Sequence, residues 1–258
     1  MKKWIKRVGL SCLILFLCTI CICIVIPHYS SKDGLCILGY HGVVSDEEKS
    51  TLYKKDRYTL SVSQFEKQMK YLYEQGYTTY FMEDVENYMT TDIEPNEKAV
   101  VLTFDDGLKN FNTVVKPILE KYHFKGTCFV IGKHVEDDNN KYLKEEDMIN
   151  DEYVEYYSHS YNLHRLSKKG IDRKIIQDLT LKEIQEDFDK NVVDSTYFAF
   201  PYGRSREDIT SVLKENGVRL AFTYNTFKHA QKKDDIYYIP RYMIVDVFPI
   251  QYFKWIVN

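Results

Sequence analysis

The sequence predicts an α/β fold built on a mainly parallel sheet, either open or closed into a barrel. Short apolar runs alternate along the 258 residues with stretches whose apolar residues recur at helical spacing, and this alternation is typical of βαβ units. The run at residues 99–104 is almost entirely apolar, as expected for a strand that helices cover on both faces. Polar side chains follow several of these runs, and parallel sheets bind ligands at that end of their strands.

The predicted elements follow one another in a regular order. Strands are predicted at residues 35–40, 77–80, 99–104, 126–131, 154–157, 197–200, 219–223 and 236–239, and helices at 62–75, 82–89, 113–122, 181–191 and 205–216, with one more at the carboxyl end. Ser61 or Ser63 is placed to cap the helix at 62–75, and Thr113 to cap the helix at 113–122. The polar stretch at residues 45–60 predicts a loop.

The beginning of the chain predicts a membrane anchor. Residues 8–26 are almost entirely apolar and long enough for a helix to cross a ~30 Å hydrocarbon core. The basic residues before them should stay in the cytoplasm, which places the rest outside a bacterial cell as a single-pass membrane protein. A cleaved signal peptide, which would make the protein secreted, is the alternative. We therefore expect an anchor at 1–28, a linker at 29–34 and one folded domain at 35–258.

Charge and cysteine content exclude some classes of function. The net charge is −3, and no basic stripe indicates nucleic acid as a partner. Four of the six cysteines lie in the apolar segment, where they behave as small hydrophobic residues. Cys36 and Cys128 fall in predicted strands, which favours two buried thiols over a disulfide. The absence of a Cys-x-x-Cys pair argues against a zinc ribbon, and no protein partner is indicated.

The end of the run at residues 99–104 carries the clearest chemical signal. The motif TFDDG (residues 103–107) puts Asp105 and Asp106 side by side after that predicted strand. Taken alone, the motif could form a turn or cap the next helix. Two adjacent carboxylates are costly unless something positive lies between them, and a metal ion supplies that charge.

Two histidines follow the predicted strand at 154–157, in the motif SHSYNLH (residues 158–164). His159 and His164 could be ordinary surface histidines of a polar loop. Neutral imidazole is nevertheless a common ligand of Zn²⁺ and similar ions, and one carboxylate with two imidazoles leaves coordination positions open for water and substrate. This open site indicates a hydrolase.

Three further polar residues follow predicted strands and are candidates for the same site. His41 comes after the run at 35–40, Tyr202 after that at 197–200, and Arg241 after that at 236–239. Each has a simpler interpretation. His41 could be a core histidine, Tyr202 could be part of a turn, and Arg241 could be a surface residue. Their shared position at strand ends predicts that they meet in space.

The motifs also resemble those of a known family. TFDDG, HSYNLH (residues 159–164) and FAFPYG (residues 198–203) resemble the three motifs of the polysaccharide deacetylases (NodB homology, carbohydrate esterase family 4). Two histidines five residues apart resemble the branch that acts on poly-β-1,6-N-acetylglucosamine. The resemblance implies a deformed (β/α) barrel of mainly parallel strands, and N-deacetylation of N-acetylglucosamine units in a polysaccharide.

Two departures from the family pattern affect the catalytic residues. Many members have an arginine two positions before the proline of the third motif, where this chain has Ala199. The late Leu-x-His motif that supplies the general acid is missing as well. In the exopolysaccharide branch the elements are permuted and the acid comes from an amino-terminal Tyr-His, which Tyr40 and His41 match. Arg241 is a candidate to replace the missing guanidinium.

The resemblance implies a role for each candidate. The implied ligands of a divalent metal, expected to be Zn²⁺, are Asp106, His159 and His164. Asp105 would be the general base, supported by Arg241, and protonated His41 the general acid. The Tyr202 backbone N–H would stabilise the charged intermediate. Alternatives to the exopolysaccharide substrate are peptidoglycan or chitooligosaccharides, and a different class is an inactive, membrane-anchored glycan-binding module.

Overall fold

The computed structural model describes residues 32–258. The membrane anchor predicted at residues 8–26 therefore lies outside the described residues, and so does half of the predicted linker. Among the helices of residues 32–258, none combines the length and the apolar character needed to span a bilayer.

Parallel strands form a closed barrel, as the sequence predicted. The strands are β1 (Cys36–Tyr40), β2 (Val43–Val44), β3 (Leu60–Ser61), β4 (Thr78–Tyr80), β5 (Ala99–Phe104), β6 (Gly126–Val130), β7 (Val154–Ser158), β8 (Tyr197–Ala199), β9 (Leu220–Tyr224) and β10 (Ile239–Met243). The order around the barrel is β1-β10-β9-β8-β7-β6-β5. β5 then pairs with β1, from Cys36 opposite Val100 to Tyr40 opposite Phe104, and closes a ring of seven. β4 extends the sheet beside β5.

Helices surround the barrel and cover one of its ends. They are α1 (Asp46–Ser50), α2 (Val62–Glu74), α3 (Met82–Thr90), α4 (Lys116–Tyr122), α5 (Gly132–Val135), α6 (Leu181–Asp189), α7 (Thr210–Glu215) and α8 (Ile250–Val257). Met82 and Val85 of α3 belong to one buried cluster with Val101 and Phe222. Glu155, near the start of β7, accepts a hydrogen bond from the Met82 backbone N–H at 2.8 Å. α3 therefore covers the amino-terminal end of the barrel and leaves the carboxyl end open.

Ser61 caps α2 as predicted, because its hydroxyl accepts a hydrogen bond from the Gln64 N–H. The loop prediction for residues 45–60 is wrong at its start. There Ser45 and Glu48 form a capping box, and such a box satisfies free N–H groups of even a short helix. The cap prediction for Thr113 is also wrong, since this residue lies inside a π-helical turn, Phe111–Val115, that precedes α4.

The last strand begins later than predicted, at Ile239. The sequence prediction ended it at Ile239, directly before a proline, which lacks an N–H for the ladder. The strand continues nevertheless, since Pro240 pairs with Thr223 of β9 and Tyr242 with Leu38 of β1. Arg241 therefore lies within the strand and is fully buried, which corrects its predicted position after a strand.

Both cysteines of the described residues, Cys36 and Cys128, are free and buried. The interpretation of two buried thiols is thus confirmed. Burial raises the pKa of each thiol above its ordinary value, so both remain protonated and unreactive.

Candidate active site

Asp105 lies at the carboxyl end of β5 with its side chain buried in the mouth of the barrel. Arg241 binds it through two parallel hydrogen bonds, from Nη1 to Oδ1 at 2.8 Å and from Nη2 to Oδ2 at 2.9 Å. The Tyr224 hydroxyl donates to Oδ2 at 2.8 Å. Arg241 Nη1 also donates to Thr103 Oγ1 at 2.8 Å. The sequence proposed Arg241 as a replacement for the missing guanidinium, and the structure brings it into contact with Asp105.

The charge of Asp105 follows from these contacts. Burial disfavours the ionised carboxylate, but the positive charge and the hydrogen bonds of Arg241 outweigh burial and hold the pKa of Asp105 well below its ordinary value. Burial raises the pKa of the Tyr224 hydroxyl well above its ordinary value, so this hydroxyl remains protonated. Asp105 is therefore an ionised carboxylate at neutral pH, able to accept a proton.

Asp106 lies in a different position although it is the next residue. Its backbone has φ +80°, a left-handed conformation that is unfavourable for residues other than glycine and that clusters at functional sites. Its Oδ1 lies 3.5 Å from Nε2 of His164 and 3.8 Å from Nε2 of His159. This oxygen is buried and has no hydrogen-bond partner among residues 32–258.

Asp106, His159 and His164 fit a divalent metal. Each offers one ligand atom, and the three atoms lie within 4.8 Å of one another. A tetrahedral zinc ion with bonds of about 2.0–2.1 Å separates its ligand atoms by roughly 3.4 Å, close to the separations found here. Nδ1 of His159 donates to the carbonyl oxygen of Ala199 at 2.7 Å, so Nε2 carries the free lone pair that a ligand needs.

The protonation of His159 favours the same interpretation. Burial lowers the pKa of His159 to about 4, and the neighbouring His164 also lowers it. The imidazole is therefore neutral at physiological pH, as metal binding requires.

The loop that carries the two histidines is fixed by side chains that the sequence did not reveal. Asp187 of α6 is buried and accepts hydrogen bonds from two consecutive N–H groups, those of Tyr161 at 2.9 Å and Asn162 at 2.8 Å. The Ser160 hydroxyl accepts a further bond from the Leu163 N–H at 3.1 Å. These contacts fix the loop between the two ligands.

His41 follows β1 and borders the same cleft. Its ring centroid lies 5.2 Å from that of Tyr58 and 6.4 Å from that of Tyr224. Its Nδ1 is buried and has no hydrogen-bond partner within residues 32–258.

Tyr202 lines the cleft next to the candidate metal ligand His164. Its backbone has φ +59°. Its ring stacks on that of His164, with centroids 4.1 Å apart, while the ammonium of Lys174 lies 4.0 Å from the Tyr202 ring centroid. The Tyr202 ring is therefore in contact with both a metal-ligand candidate and a cation.

A cleft of about 800 Å³ opens above these residues at the carboxyl end of the barrel. Five of the seven residues predicted for the site line it directly, namely His41, Asp105, Asp106, His164 and Tyr202. His159 and Arg241 are fully buried beneath it and contact the lining carboxylates. The structure thus brings all seven together. Sequence reasoning missed Tyr224, although it too ends a strand and carried the same positional signal.

The sequence is similar to those of known proteins. A family model for polysaccharide deacetylases matches residues 92–221. A poly-beta-1,6-N-acetyl-D-glucosamine N-deacetylase of Staphylococcus aureus is 31% identical over 206 residues, which span 73% of this chain and 69% of that protein. The chain therefore belongs to the polysaccharide deacetylase family, as the motifs indicated, and it is an N-deacetylase enzyme.

Solved structures agree in fold. IcaB from Ammonifex degensii superposes with a TM-score of 0.72 at 23% identity, over 88% of this chain and 99% of that one. The Streptococcus pyogenes deacetylase PplD, solved in complex with acetate, gives a TM-score of 0.71 at 22% identity, over 88% and 100%. At these low sequence identities, the similarity shows only that the fold is shared.

Proposed function

We propose that the protein removes acetyl groups from N-acetylglucosamine units of poly-β-1,6-N-acetylglucosamine, with a divalent metal, Zn²⁺ in our proposal, held by Asp106, His159 and His164. The main support for this reaction is that the three ligand atoms converge beside the buried carboxylate of Asp105. The similarity to the Staphylococcus aureus enzyme supports the choice of polysaccharide. The five-residue spacing of the histidines and the amino-terminal Tyr-His support it as well.

When bound, the metal lowers the pKa of water and polarises the acetyl carbonyl. Asp105 takes a proton from the attacking water. The Tyr202 backbone N–H donates a hydrogen bond to the oxygen on which negative charge develops. His41, carrying a proton, donates it to the nitrogen of the breaking C–N bond, so that a neutral amine leaves. One water is consumed, and acetate and one glucosamine unit are formed.

The role of His41 follows from the chemistry of the leaving group. An amine leaves poorly without a proton, and acid catalysis contributes on the order of 10²–10⁴-fold. His41 lines the cleft, where an imidazole can donate a proton to a bound substrate. Arg241 holds Asp105 in place and keeps it ionised until it takes the proton from water.

We further propose that the enzyme works on the outer side of the cell membrane. The apolar segment at residues 8–26 and the basic residues before it support this location. Fractionation of cells that produce the full chain, followed by protease treatment of intact cells, tests it. A protein recovered with the cytosol and protected from protease contradicts the proposal.

The substrate is tested by acetate release from three glycans. These are a partly acetylated β-1,6 glucosamine oligomer, a chitin oligomer and peptidoglycan, each offered to the metal-loaded protein at the same concentration of acetyl groups. We expect the β-1,6 oligomer to react fastest, and faster release from either of the others contradicts the choice of polysaccharide. His41→Ala serves as the internal check, since it should lower the rate about 10²–10⁴-fold with bound metal unchanged.

A further inference from the structure

Tyr224 is a cleft residue that the proposed mechanism leaves without a role. It ends β9, lines the cleft and contacts Asp105 through its hydroxyl at 2.8 Å. Because an ionised carboxylate has no hydrogen to donate, the hydroxyl is the donor. The contact therefore uses one of the acceptor positions of the base.

The acceptor positions of Asp105 can be counted. Each carboxylate oxygen offers about two such positions. Oδ2 receives Nη2 of Arg241 at 2.9 Å and the Tyr224 hydroxyl at 2.8 Å, so both of its positions are taken. Among residues 32–258, only Nη1 of Arg241 donates to Oδ1, at 2.8 Å. Oδ1 is therefore the oxygen that retains a position for an incoming proton.

The ring of Tyr224 also lies close both to Arg241, the partner of the base, and to His41, the proposed acid. The guanidinium carbon of Arg241 is 4.4 Å from its centroid. The imidazole of His41 is nearly parallel to it, at an interplanar angle of 16° and a centroid distance of 6.4 Å. A displacement of the Tyr224 ring would therefore disturb both Arg241 and His41.

Two glycines leave the space that the ring occupies. A Cβ at Gly39, two residues before His41, would lie 2.5 Å from both Cε1 and Oη of Tyr224. A Cβ at Gly203, which follows Tyr202, would lie 2.4 Å from Cδ2. Gly39 has no positive φ, so its need for glycine comes from this approach alone. Gly39 and Gly203, on two separate segments of the site, therefore both leave space for the ring of Tyr224.

We propose that Tyr224 is a positioning residue of the deacetylation reaction. It occupies the second acceptor position of Oδ2, so that Oδ1 of Asp105 is the atom that receives the proton from water. This proposal rests on the proposed function only in assigning Asp105 as the base. It does not depend on which polysaccharide is the substrate.

The test compares Tyr224→Phe with wild type on two substrates. One is the β-1,6 glucosamine oligomer, and the other is 4-nitrophenyl acetate, whose phenolate leaves without a proton from His41. Tyr224→Phe keeps the ring and removes the hydroxyl. Because small misplacements of reacting groups cost up to about 10²-fold, we expect kcat to fall about 10- to 100-fold on both substrates. KM, bound metal and the unfolding temperature should stay as in wild type.

A matched control removes another tyrosine–carboxylate hydrogen bond. The Tyr197 hydroxyl donates to Glu86 at 2.6 Å, at the covered end of the barrel, and Tyr197→Phe should leave kcat unchanged. Gly39→Ala keeps the Tyr224 hydroxyl but displaces the ring, and it should lower kcat on both substrates as well.

The outcomes separate the two proposals. Wild-type protein that hydrolyses the aryl ester but not the oligomer contradicts the choice of polysaccharide and still allows the Tyr224 test on the ester. A kcat of Tyr224→Phe within about twofold of wild type overturns the positioning role. So does a loss confined to the oligomer, which would mean action through His41, and so does a loss that follows released metal or a lowered unfolding temperature.

Discussion

Asp105 and Asp106 are neighbours in the sequence, yet their carboxylates have opposite surroundings. Asp105 is buried and receives three hydrogen bonds from Arg241 and Tyr224. Asp106 is partly exposed, has a left-handed backbone, and has one oxygen that no described residue satisfies. The comparison shows that the fold gives the two carboxylates different surroundings, since donors of the protein satisfy one, and the other keeps an oxygen that we propose binds a cation.

The supports of the two carboxylates differ as well. The partners of Asp105 come from barrel strands, Arg241 from β10 and Tyr224 from β9. The partners of Asp106 come from the loop after β7, which Asp187 fixes through two backbone N–H groups. The half around Asp105 is therefore held by barrel strands, and we expect that the half held by the loop can be altered without disturbing it.

The largest expected effect separates the two aspartates directly. Asp105→Asn should lower kcat on the order of 10³-fold, because the carboxylate that takes the water proton is lost, while bound metal stays near one ion per chain. Asp106→Asn should instead lose bound metal. Acetate release and elemental analysis of the same preparations measure both effects. Retained turnover in Asp105→Asn would show that the base has been wrongly assigned.

The next effect concerns stability rather than turnover. Arg241→Met removes the partner of a buried carboxylate, and breaking such a pair costs about 3–5 kcal/mol of unfolding free energy. Chemical denaturation of the metal-free protein measures it. The double variant with Asp105→Asn should regain part of the loss, since it removes the unpaired charge. A destabilisation as small as that of a surface ion pair, about 1 kcal/mol or less, would contradict the strand-based support of Asp105.

The half of the site around Asp105 and the half around Asp106 also differed in how well the sequence predicted them. The candidate metal ligands were predictable because each stands in a short motif that follows a predicted strand. The contact between Arg241 and Asp105 joins residues 136 positions apart, and it was expected because Arg241 follows a predicted strand and because the family arginine is missing. Tyr224 lies 119 positions from Asp105, and only closure of the barrel brings the two together.

The sequence predicted the fold correctly where the apolar pattern was long. The prediction failed where the pattern was short. The strand at 99–104 was predicted to the residue because its side chains are buried on both faces. α1 was missed because it has no buried residue and thus no apolar periodicity. The strand containing Arg241 was cut short because the pattern alone does not reveal a buried ion pair inside a barrel.

The smallest expected effect tests the loop half of the comparison. Asp187→Asn keeps the size of the side chain but replaces one acceptor oxygen by an amide, so the Tyr161 and Asn162 N–H groups can no longer both be satisfied. Outer contacts of this kind typically change metal affinity about 10- to 100-fold, and we expect such a loss here. Titration with a metal chelator measures it, and kcat at saturating metal should stay near wild type because Asp105 is untouched. A kcat that remains low at saturating metal would mean that the two halves are not independent, and the distinction between strand-held and loop-held carboxylates would fail.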